Sequence, residues 1–481
     1  ILNKTGPGDQ TTANGILVVQ TRSNATTAPG AFELANRVRG GAYDYFLFRG
    51  GINGSAPQDW FLRSTFIVPP VPPSTLPISP FVPPSTQPIT VEPLSPFLPP
   101  STLPIGVPPI YTVPPPVLPA DPPPAVLPPG TYPIIGPELA TYGVVQPIAR
   151  QMGLTTLGSL HERVGDAAAD ATCLTATPDN VYGANITKAP PVPESNCRQT
   201  AVWGRLFGQQ IDNRYQAFAD PRASGQVAGI QTGVDVWRGN LIPGHTDVAG
   251  LYFAYGNGNV DVTGLVTNPA ATGYILQHTG SLNLNAYSVG GYWTHYGPTG
   301  WYIDAVLQSS FYNGNAETQF ANLATNGTGL VTSLETGYPI PLPWLGPGFM
   351  LEPEGQIIWQ QVSFREDNDG FGSVGLGTTS GASGRLGLRG KWTISDPAGR
   401  VWQPYVLANV WRDWGAEANT MFGIDSVPLI EQATRVEFAG GLSAKILPGL
   451  SLYAQAGYQF ATSSQQRRDG VKGDFGVRYS W

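Results

Sequence analysis

The chain has 481 residues, of which only 12% are charged and 11% are aromatic, and it contains 59 glycines and 48 prolines. This composition disfavours helices and favours β-structure with many turns. The formal net charge is −7 and the basic residues are scattered, which argues against nucleic-acid binding, because that function needs a concentrated basic surface. No run of 18 apolar residues occurs, so no transmembrane helix is predicted, whereas a membrane β-barrel remains compatible with the sequence.

Residues 1–65 are rich in glycine and contain short apolar runs typical of β-strands. Examples are Gly15–Val19 and Tyr43–Phe48. Their spacing predicts rungs of a β-solenoid, in which short strands stack on one another. The chain begins at Ile1 without a methionine or a signal peptide, and two or three rungs alone would leave an open end. We therefore expect this region to be the end of a longer secreted solenoid.

Residues 66–136 form a low-complexity segment rich in proline. The sequence Pro-Pro-Ser-Thr-x-Pro-Ile occurs three times, starting at Pro72, Pro83 and Pro99. Because proline lacks an amide donor and fixes φ, the segment is predicted to be an extended spacer. A ligand for a proline-binding domain is the alternative that this composition leaves open.

Residues 137–171 are predicted to be largely helical. Apolar residues recur from Leu139 to Leu160 among alanine and arginine, and Pro147 is expected to kink or interrupt the helix. Residues 172–199 follow as a loop before the sequence pattern changes again.

From residue 200 to residue 481, apolar residues alternate with small or polar ones in recurrent segments. In Trp301–Tyr312, for example, Ile303 and Leu307 share one face while Asp304 lies on the other. The predicted strands are Ala201–Gln210, Gln226–Trp237, Thr246–Gly256, Asn283–Tyr296, Trp301–Tyr312, Leu330–Ile340, Phe349–Phe364, Ser383–Ile394, Val401–Trp414, Arg435–Leu447, Ser451–Ala461 and Val471–Trp481. Long outer loops are expected between some of them, such as Gly256–Leu282.

Twelve strands are an even number, which lets the two ends of one sheet meet and close. Closure removes the unpaired edges that lipid would not tolerate. A soluble β-sandwich also has alternating strands, but its exposed face usually carries lysine, glutamate and threonine. Here the polar face is mostly glycine, serine, glutamine and tyrosine, and tryptophan and tyrosine cluster at strand ends. The predicted fold class is therefore all-β, with a twelve-stranded antiparallel transmembrane β-barrel preceded by β-solenoid rungs.

Several motifs resemble the β-domain of classical, pertactin-like autotransporters (type Va secretion). Leu160–Asp166 is similar to the signature that precedes the family's barrel, Trp203–Arg205 to its first strand and Gly473–Trp481 to its closing strand. The resemblance covers about residues 137–481. Upstream, Gly40–Tyr45 and Trp60–Ser64 resemble the autochaperone rungs at the C-terminal end of the exported passenger.

This resemblance implies a translocator in the outer membrane of a Gram-negative bacterium. It would export its own N-terminal passenger and anchor it at the cell surface. The implied partners are outer-membrane lipid, the barrel-assembly machinery, periplasmic chaperones and the passenger itself, and the implied state is a monomer. No cofactor, metal ion or nucleic acid is expected. An outer-membrane diffusion porin, or a surface adhesin acting through residues 1–137, are the alternatives.

The resemblance also implies that the C-terminal part of residues 137–171 threads the pore as a helix. The expected pore-helix residues are Leu160, His161, Glu162, Arg163, Gly165 and Asp166. Charged residues inside a membrane barrel need polar partners. The candidates that strand alternation places in the lumen are Asp235, Glu335, Glu352, Glu354, Arg385 and Arg389. A purely structural role of these lumen charges is the alternative to helix binding.

The last strand ends in alternating apolar residues, namely Phe475, Val477, Tyr479 and Trp481. This pattern is similar to the signal that the barrel-assembly machinery reads. The alternative is a further set of lipid-facing side chains without a special role.

Cys173 and Cys197 are the two cysteines of the chain, and they lie between the predicted helix and the first barrel strand. With the passenger outside the cell, this link would face the periplasm, an oxidising compartment. We therefore predict a disulfide between them, and two free thiols are the alternative.

Some members of the resembled family release their passenger by cyclisation of an asparagine within an Asn-Asn pair of the pore helix. This sequence contains no Asn-Asn pair, and Leu157–Leu160 occupies the corresponding place. We therefore predict no enzymatic activity in this chain, and a passenger that stays attached unless an outside protease acts.

Overall fold

The computed structural model describes residues 8–70, 117–166, 200–463 and 466–481. The loop with Cys173 and Cys197 lies outside the described residues, as do the three proline repeats. Among the described residues, no helix combines the length and the apolar character needed to cross a bilayer.

The first part of the chain forms a small sheet rather than stacked rungs. Its strands are β1 (Ile16–Val19), β2 (Val38–Gly40), β3 (Tyr43–Arg49) and β4 (Trp60–Arg63), with a short 3₁₀-helix at Ile52–Gly54. They pair in the order β1-β4-β3-β2, and every pairing is antiparallel, whereas solenoid rungs would pair in parallel. The cause is local. Only Gly41 and Ala42 separate β2 from β3, and Gly41 has φ +59°, which suits a hairpin and not the long crossover of a parallel pair.

The proline-rich segment begins and ends at neighbouring strands, β5 (Thr65–Val68) and β6 (Gly130–Pro133). These strands pair antiparallel, and Val68 is the register partner of Gly130. Upstream of β6 the chain already packs on the rest of the fold, since Leu118 is buried in the core and its amide donates to the Ser426 carbonyl oxygen at 3.2 Å. The prediction of an extended spacer concerns mainly residues 71–116, which lie outside the described residues, and it stays a prediction.

Replacing residues 71–116 with a shorter glycine–serine linker is expected to leave the fold intact, because this change keeps Leu118, which packs in the core. Because closing a shorter loop costs less entropy, the stability of the β5–β6 pair should stay the same or rise by roughly 1–2 kcal/mol. Thermal unfolding of the purified protein in detergent, followed by circular dichroism, measures this effect. The matched control also removes β6, and it should unfold at a lower temperature. A clear loss of stability in the first variant would show that the segment supports the fold.

Three helices follow, and they are α1 (Glu138–Gly143), α2 (Val145–Leu157) and α3 (Leu160–Val164). The first break lies at Val144, and Pro147 sits in the first turn of α2, where its missing amide costs no helical hydrogen bond. The second break lies at Gly158, which has φ +62°. Ser159 and Glu162 then form a reciprocal capping box that starts α3, with N–O distances of 3.3 and 3.1 Å.

Beyond residue 200 the chain consists mainly of strands. In chain order these are β7 (Ala201–Arg214), β8 (Arg222–Gly239), β9 (Thr246–Thr267), β10 (Tyr274–Tyr296), β11 (Tyr302–Thr318), β12 (Asn322–Ala324), β13 (Gly327–Gly337), β14 (Ile340–Pro341), β15 (Phe349–Phe364), β16 (Asp367–Asn368), β17 (Ser373–Gly375), β18 (Thr378–Trp392), β19 (Ile394–Ser395), β20 (Val401–Trp414), β21 (Glu417–Phe422), β22 (Asp425–Ile430), β23 (Thr434–Leu447), β24 (Leu450–Ala461) and β25 (Arg467–Ser480). A second 3₁₀-helix covers Pro343–Leu345.

Twelve of these strands form one closed barrel. They pair in the order β10-β9-β8-β7-β25-β24-β23-β20-β18-β15-β13-β11, and β11 pairs with β10 to complete the ring. All pairings along the ring are antiparallel, and the seam joins β25 to β7, with Ser480 opposite Ala201. The prediction of a twelve-stranded antiparallel barrel is confirmed.

The two ends of the barrel differ. The upper end faces the first sheet, and there β16, β17, β21 and β22 form a separate four-stranded sheet, here called the cap. The lower end holds Trp481 and tight connections such as that between β23 and β24.

Strands β9 and β10 extend far beyond the predicted boundary, through most of the stretch that was expected to be a loop. Along this extension Asn259 and Asp261 are exposed on the outer face, whereas Val260 and Val262 are fully buried on the inner face. The alternation of strand residues continues, but the apolar side has changed from outside to inside. The barrel wall therefore rises above the apolar band and encloses an apolar upper core.

Tyrosine rings of the lumen lie directly against glycines of neighbouring strands. A Cβ atom added to Gly476 would come within 2.1 Å of the Tyr453 ring. The same close approach occurs in the pairs Tyr292–Gly250, Tyr252–Gly290, Tyr302–Gly337 and Tyr405–Gly441. Because glycine has no side chain, these rings can lie along the wall and leave the middle of the lumen to another element.

Candidate functional site

The middle of the lumen is filled by α2 and α3. Ile148, Met152 and Leu157 of α2 are fully buried in two apolar clusters that include residues of the barrel wall. The hydroxyl of Tyr312, on the wall, donates to the carbonyl oxygen of Ala149 at 3.1 Å. A cavity of about 50 Å³ remains between the helices and the wall, which is room for only a few water molecules.

Arg205 of β7 holds the C-terminal end of α2. Its guanidinium donates to the carbonyl oxygens of Thr156 at 2.6 Å and Thr155 at 3.1 Å. It also donates to the Gln231 amide at 2.6 Å and pairs with Asp474 at 3.1 Å. A cation at this position satisfies carbonyls that lack a partner within the helix and complements the helix dipole.

The short helix α3 is fixed to the wall by both side-chain and backbone contacts. Arg163 donates from Nη2 to both carboxylate oxygens of Asp304, at 2.7 and 2.8 Å, and both side chains are only 1% exposed. The amide of Leu160 donates to Glu335 at 3.0 Å. At the other end of α3, the Tyr453 hydroxyl donates to the Arg163 carbonyl oxygen at 2.6 Å.

The acidic residues around α3 are also paired with the wall. Glu162 lies 2.7 Å from the Lys472 ammonium group. Asp166 accepts from Arg389 at 3.0 and 2.8 Å and from Lys391 at 2.8 Å. Arg389 and Asp166 are both almost fully buried. Breaking such a buried pair by removing one partner costs far more than breaking an exposed one.

Gly165 ends α3 with φ +68°, and a Cβ atom there would lie 2.8 Å from the Tyr453 ring. The His161 ring contacts Tyr302 edge to face, with 5.5 Å between the ring centroids. On the same side, His161 Nε2 lies 3.4 Å from a carboxylate oxygen of Glu352.

All six lumen-facing candidates are buried in the structure, namely Asp235, Glu335, Glu352, Glu354, Arg385 and Arg389. Their partners differ. Glu335, Glu352 and Arg389 contact α3 or the residues next to it. By contrast, Asp235 pairs with Arg478 at 2.6 Å, and Arg385 pairs with Glu354 at 2.6 Å, so these contacts connect wall strands to one another.

Among the charged residues of the barrel strands, four that contact the helices or Asp166 were not predicted candidates, and these are Arg205, Asp304, Lys391 and Lys472. Each is a charged residue on a barrel strand. Strand alternation also places Asp304 in the lumen, between the outward-facing Ile303 and Ala305. The signal for an inward charge was therefore present in the sequence, although the identity of its partner was not.

The four residues of the predicted assembly signal lie on the outer face at the seam. Phe475, Val477, Tyr479 and Trp481 are between 39% and 58% exposed. The Trp481 ring stacks on Tyr479 at 5.9 Å, and its amide donates to the Thr200 carbonyl oxygen at 3.0 Å.

A second set of buried polar contacts joins the first sheet to the cap. Arg39 pairs with Asp369 at 2.5 Å, with side-chain exposures of 2% and 0%. The amide of Ala42 donates to Asp425 at 2.8 Å, and the Tyr142 hydroxyl of α1 donates to Asp369 at 3.1 Å. The first sheet, α1 and the cap thus share one core.

Arg37 extends this junction, because it bridges Asp44 of β3 at 2.7 Å and Glu138 of α1 at 2.6 Å. Burial raises the pKa of the Asp44 carboxyl to about 6, although Arg37 opposes the shift. Burial also raises the pKa of the Asp425 carboxyl to about 6. The first sheet is therefore docked on the upper end through charged groups that are largely removed from water.

Two family models match the chain. The model described as autotransporter β-domain matches residues 202–457, which is more than half of the chain, and the model described as autochaperone domain type 1 matches residues 1–47. The chain belongs to the autotransporter β-domain family. It is the translocator part of a classical autotransporter, its barrel lies in the bacterial outer membrane, and its N-terminal part faces the cell surface.

Similar proteins include two curated autotransporters. The adhesin BmaC autotransporter of Brucella suis biovar 1 is 24% identical over 502 residues, covering 100% of this chain and 12% of that protein. The pertactin autotransporter of Bordetella bronchiseptica is 29% identical over 299 residues, covering 58% of this chain and 29% of that protein. This chain thus spans less than a third of the length of either autotransporter.

Among solved structures, the transport unit of the autotransporter AIDA-I from Escherichia coli has a TM-score of 0.50 and 18% sequence identity. The match covers 67% of this chain and 100% of that structure. At this identity the likeness shows the shared fold.

Proposed function

We propose that this autotransporter's barrel exports the passenger and then retains α2 and α3 in the lumen, where they close the pore and anchor the passenger. The observation that carries this proposal is the set of buried ion pairs around α3. Glu162, Arg163 and Asp166 each have an oppositely charged partner on the wall. A diffusion porin needs an open lumen, and its wall has no need of charges matched to a helix.

The parts of the chain take their roles from this arrangement. Residues 1–65 are the end of the passenger, residues 66–136 the Pro-rich linker, residues 137–171 the connection through the pore, residues 172–199 the periplasmic loop and residues 200–481 the translocator. The word adhesin in the name of BmaC refers to that whole protein, of which this chain covers 12%, so no adhesive activity is assigned to the barrel.

The passenger is proposed to stay attached after export. The break between α2 and α3 carries Gly158 and Ser159, and neither residue can undergo the asparagine cyclisation that the resemblance would require. Barrel assembly by the barrel-assembly machinery, with periplasmic chaperones, is part of the same proposal.

Electrical conductance in a planar lipid bilayer tests the closed-pore proposal. A variant that lacks residues 1–166 should conduct ions strongly, because removing a helix about 10–12 Å wide leaves a water-filled path. The intact chain should conduct far less. A matched control that lacks only residues 1–116 keeps all three helices and should remain nearly closed.

Two results would contradict the proposal. If the intact chain conducted as strongly as the variant without residues 1–166, the protein would be acting as a diffusion porin. If neither conducted, the lumen would not form a pore even without the helices.

A further inference from the structure

His161 of α3 faces two glutamates of β15 inside the lumen. Its Nε2 atom lies 3.4 Å from Oε1 of Glu352 and 3.9 Å from Oε1 of Glu354. The three groups can each present one ligand atom within 4.8 Å of the others. They come from two elements that lie far apart in the sequence, and the barrel wall brings them together.

The glutamate oxygens nearest to His161 are the ones that do not pair with an arginine. Each glutamate uses its Oε2 atom for an arginine, since Glu354 pairs with Arg385 at 2.6 Å and Glu352 with Arg389 at 3.4 Å. The Oε1 atom of Glu354 is buried and has no hydrogen-bond partner, and that side chain is only 3% exposed. Both ring nitrogens of His161 are also buried without a hydrogen bond. Buried polar atoms without partners are rare, and several at one point call for an explanation.

We propose that His161, Glu352 and Glu354 bind a divalent transition-metal ion, with Zn²⁺ as the best fit. One imidazole nitrogen and two carboxylate oxygens are a ligand set that zinc accepts, at roughly 2.0–2.2 Å from each atom. In a tetrahedral site, such bond lengths place neighbouring ligand atoms about 3.4 Å apart. The observed separations from Nε2 are close to that value, so small side-chain movements complete the site. Water would take the fourth position.

Asp166 supports the imidazole from its other side. Its Oδ1 atom lies 3.6 Å from His161 Nδ1. A carboxylate near the second ring nitrogen of a metal-binding histidine fixes the tautomer and strengthens the ligand. The bound ion would join α3 to β15, so that the helix is fastened to the wall by metal as well as by ion pairs.

The competing explanation is a protonated His161 without metal. The carboxylates of Asp166, Glu335, Glu352 and Glu354 are matched by the three cations Arg385, Arg389 and Lys391. One negative charge is therefore left in this group, and either a bound cation or an imidazolium would offset it. The two explanations differ in whether the purified protein binds zinc.

Zinc binding by the full chain in detergent tests the proposal. His245 Nδ1 and His295 Nε2 lie 2.9 Å apart and offer a second pair of ligands, so the measurement uses a His245→Gln parent. After chelator treatment and addition of Zn²⁺, isothermal titration and elemental analysis should give one tightly bound ion per chain. His161→Gln and Glu354→Gln should each weaken binding by about tenfold or more. The matched control is His278→Gln, which replaces an exposed histidine and should leave binding unchanged.

Absence of a stoichiometric ion from the parent would overturn the proposal and leave the imidazolium as the explanation. Equal zinc affinity in the parent and in the two site variants would also overturn it. If a site variant does not assemble, Co²⁺ substitution of the parent decides the question. A nitrogen-and-oxygen ligand spectrum at one equivalent supports the site, and a spectrum of hydrated Co²⁺ contradicts it.

Discussion

Replacing Asp304 with alanine is expected to lower the free energy of unfolding by about 3–5 kcal/mol, because the change leaves the buried Arg163 guanidinium without its counter-ion. Arg163 donates to both Asp304 oxygens, and neither side chain is more than 1% exposed. The Thr294 hydroxyl also loses its acceptor, since it donates to Asp304 at 2.6 Å. Urea unfolding of the purified protein in detergent measures the loss, with the heat-modifiable gel band as a second readout.

Two controls separate the buried charge from a general effect of mutation. The double variant Arg163→Ala with Asp304→Ala removes both charges, so its loss should be well below the sum of the two single losses. Asp396→Ala breaks the exposed pair with Arg400 at a lower turn, where the side chains are 22% and 47% exposed, and should cost far less than Asp304→Ala. A loss for Asp304→Ala as small as that for Asp396→Ala would show that the pair does not hold α3.

The barrel was predictable because its signal is local. Within a strand such as β11, the alternation of Ile303 and Leu307 with Asp304 needs no knowledge of the rest of the molecule. An even strand count then implies closure, since an open edge in lipid would leave backbone groups unpaired. Two strands, β15 and β20, match their predicted boundaries residue for residue.

The upper part of the barrel wall was not predicted, because the strands were sought as segments with apolar residues facing lipid and polar residues facing the lumen. Above Gly256 the surroundings of β9 are reversed. Asn259 and Asp261 lie on the exposed outer face, while Val260 packs in the apolar upper core. A search for alternation of either sign would have found the extension. The antiparallel pairing of β2 and β3 was not predicted either, because the spacing of short apolar runs does not reveal the direction in which strands pair.

The charges of the site could be predicted by type, but their pairing could not. Arg163 and Asp304 are 141 positions apart, and they meet only because the helix lies at one depth beside one strand. Alternation placed Asp235 in the lumen just as it placed Glu335, yet Asp235 pairs with Arg478 across the seam and Glu335 contacts the α3 amide of Leu160. The depth and rotation of a helix inside a barrel are set by tertiary packing, which a single sequence does not display.

Deleting Trp481 is expected to remove most of the folded barrel from the outer membrane of living cells while hardly changing the stability of the folded protein. In the structure Trp481 contributes one backbone hydrogen bond and one stacked ring contact, and its side chain is 58% exposed. Losing these contacts should cost only about 1–2 kcal/mol. A large defect in cells would therefore arise during assembly and not from the folded state.

Comparing assembly in cells with refolding of the purified chain from urea into detergent separates the two effects. The variant should refold in detergent nearly as well as the natural chain and yet fail to accumulate in the membrane. The matched control is Phe438→Ala on β23, which removes another outward aromatic residue that is 56% exposed, and it should assemble normally. If both variants assembled equally well in cells, Trp481 would be one more lipid-facing aromatic residue. If the Trp481 variant failed in both settings, Trp481 would be needed to close the seam itself.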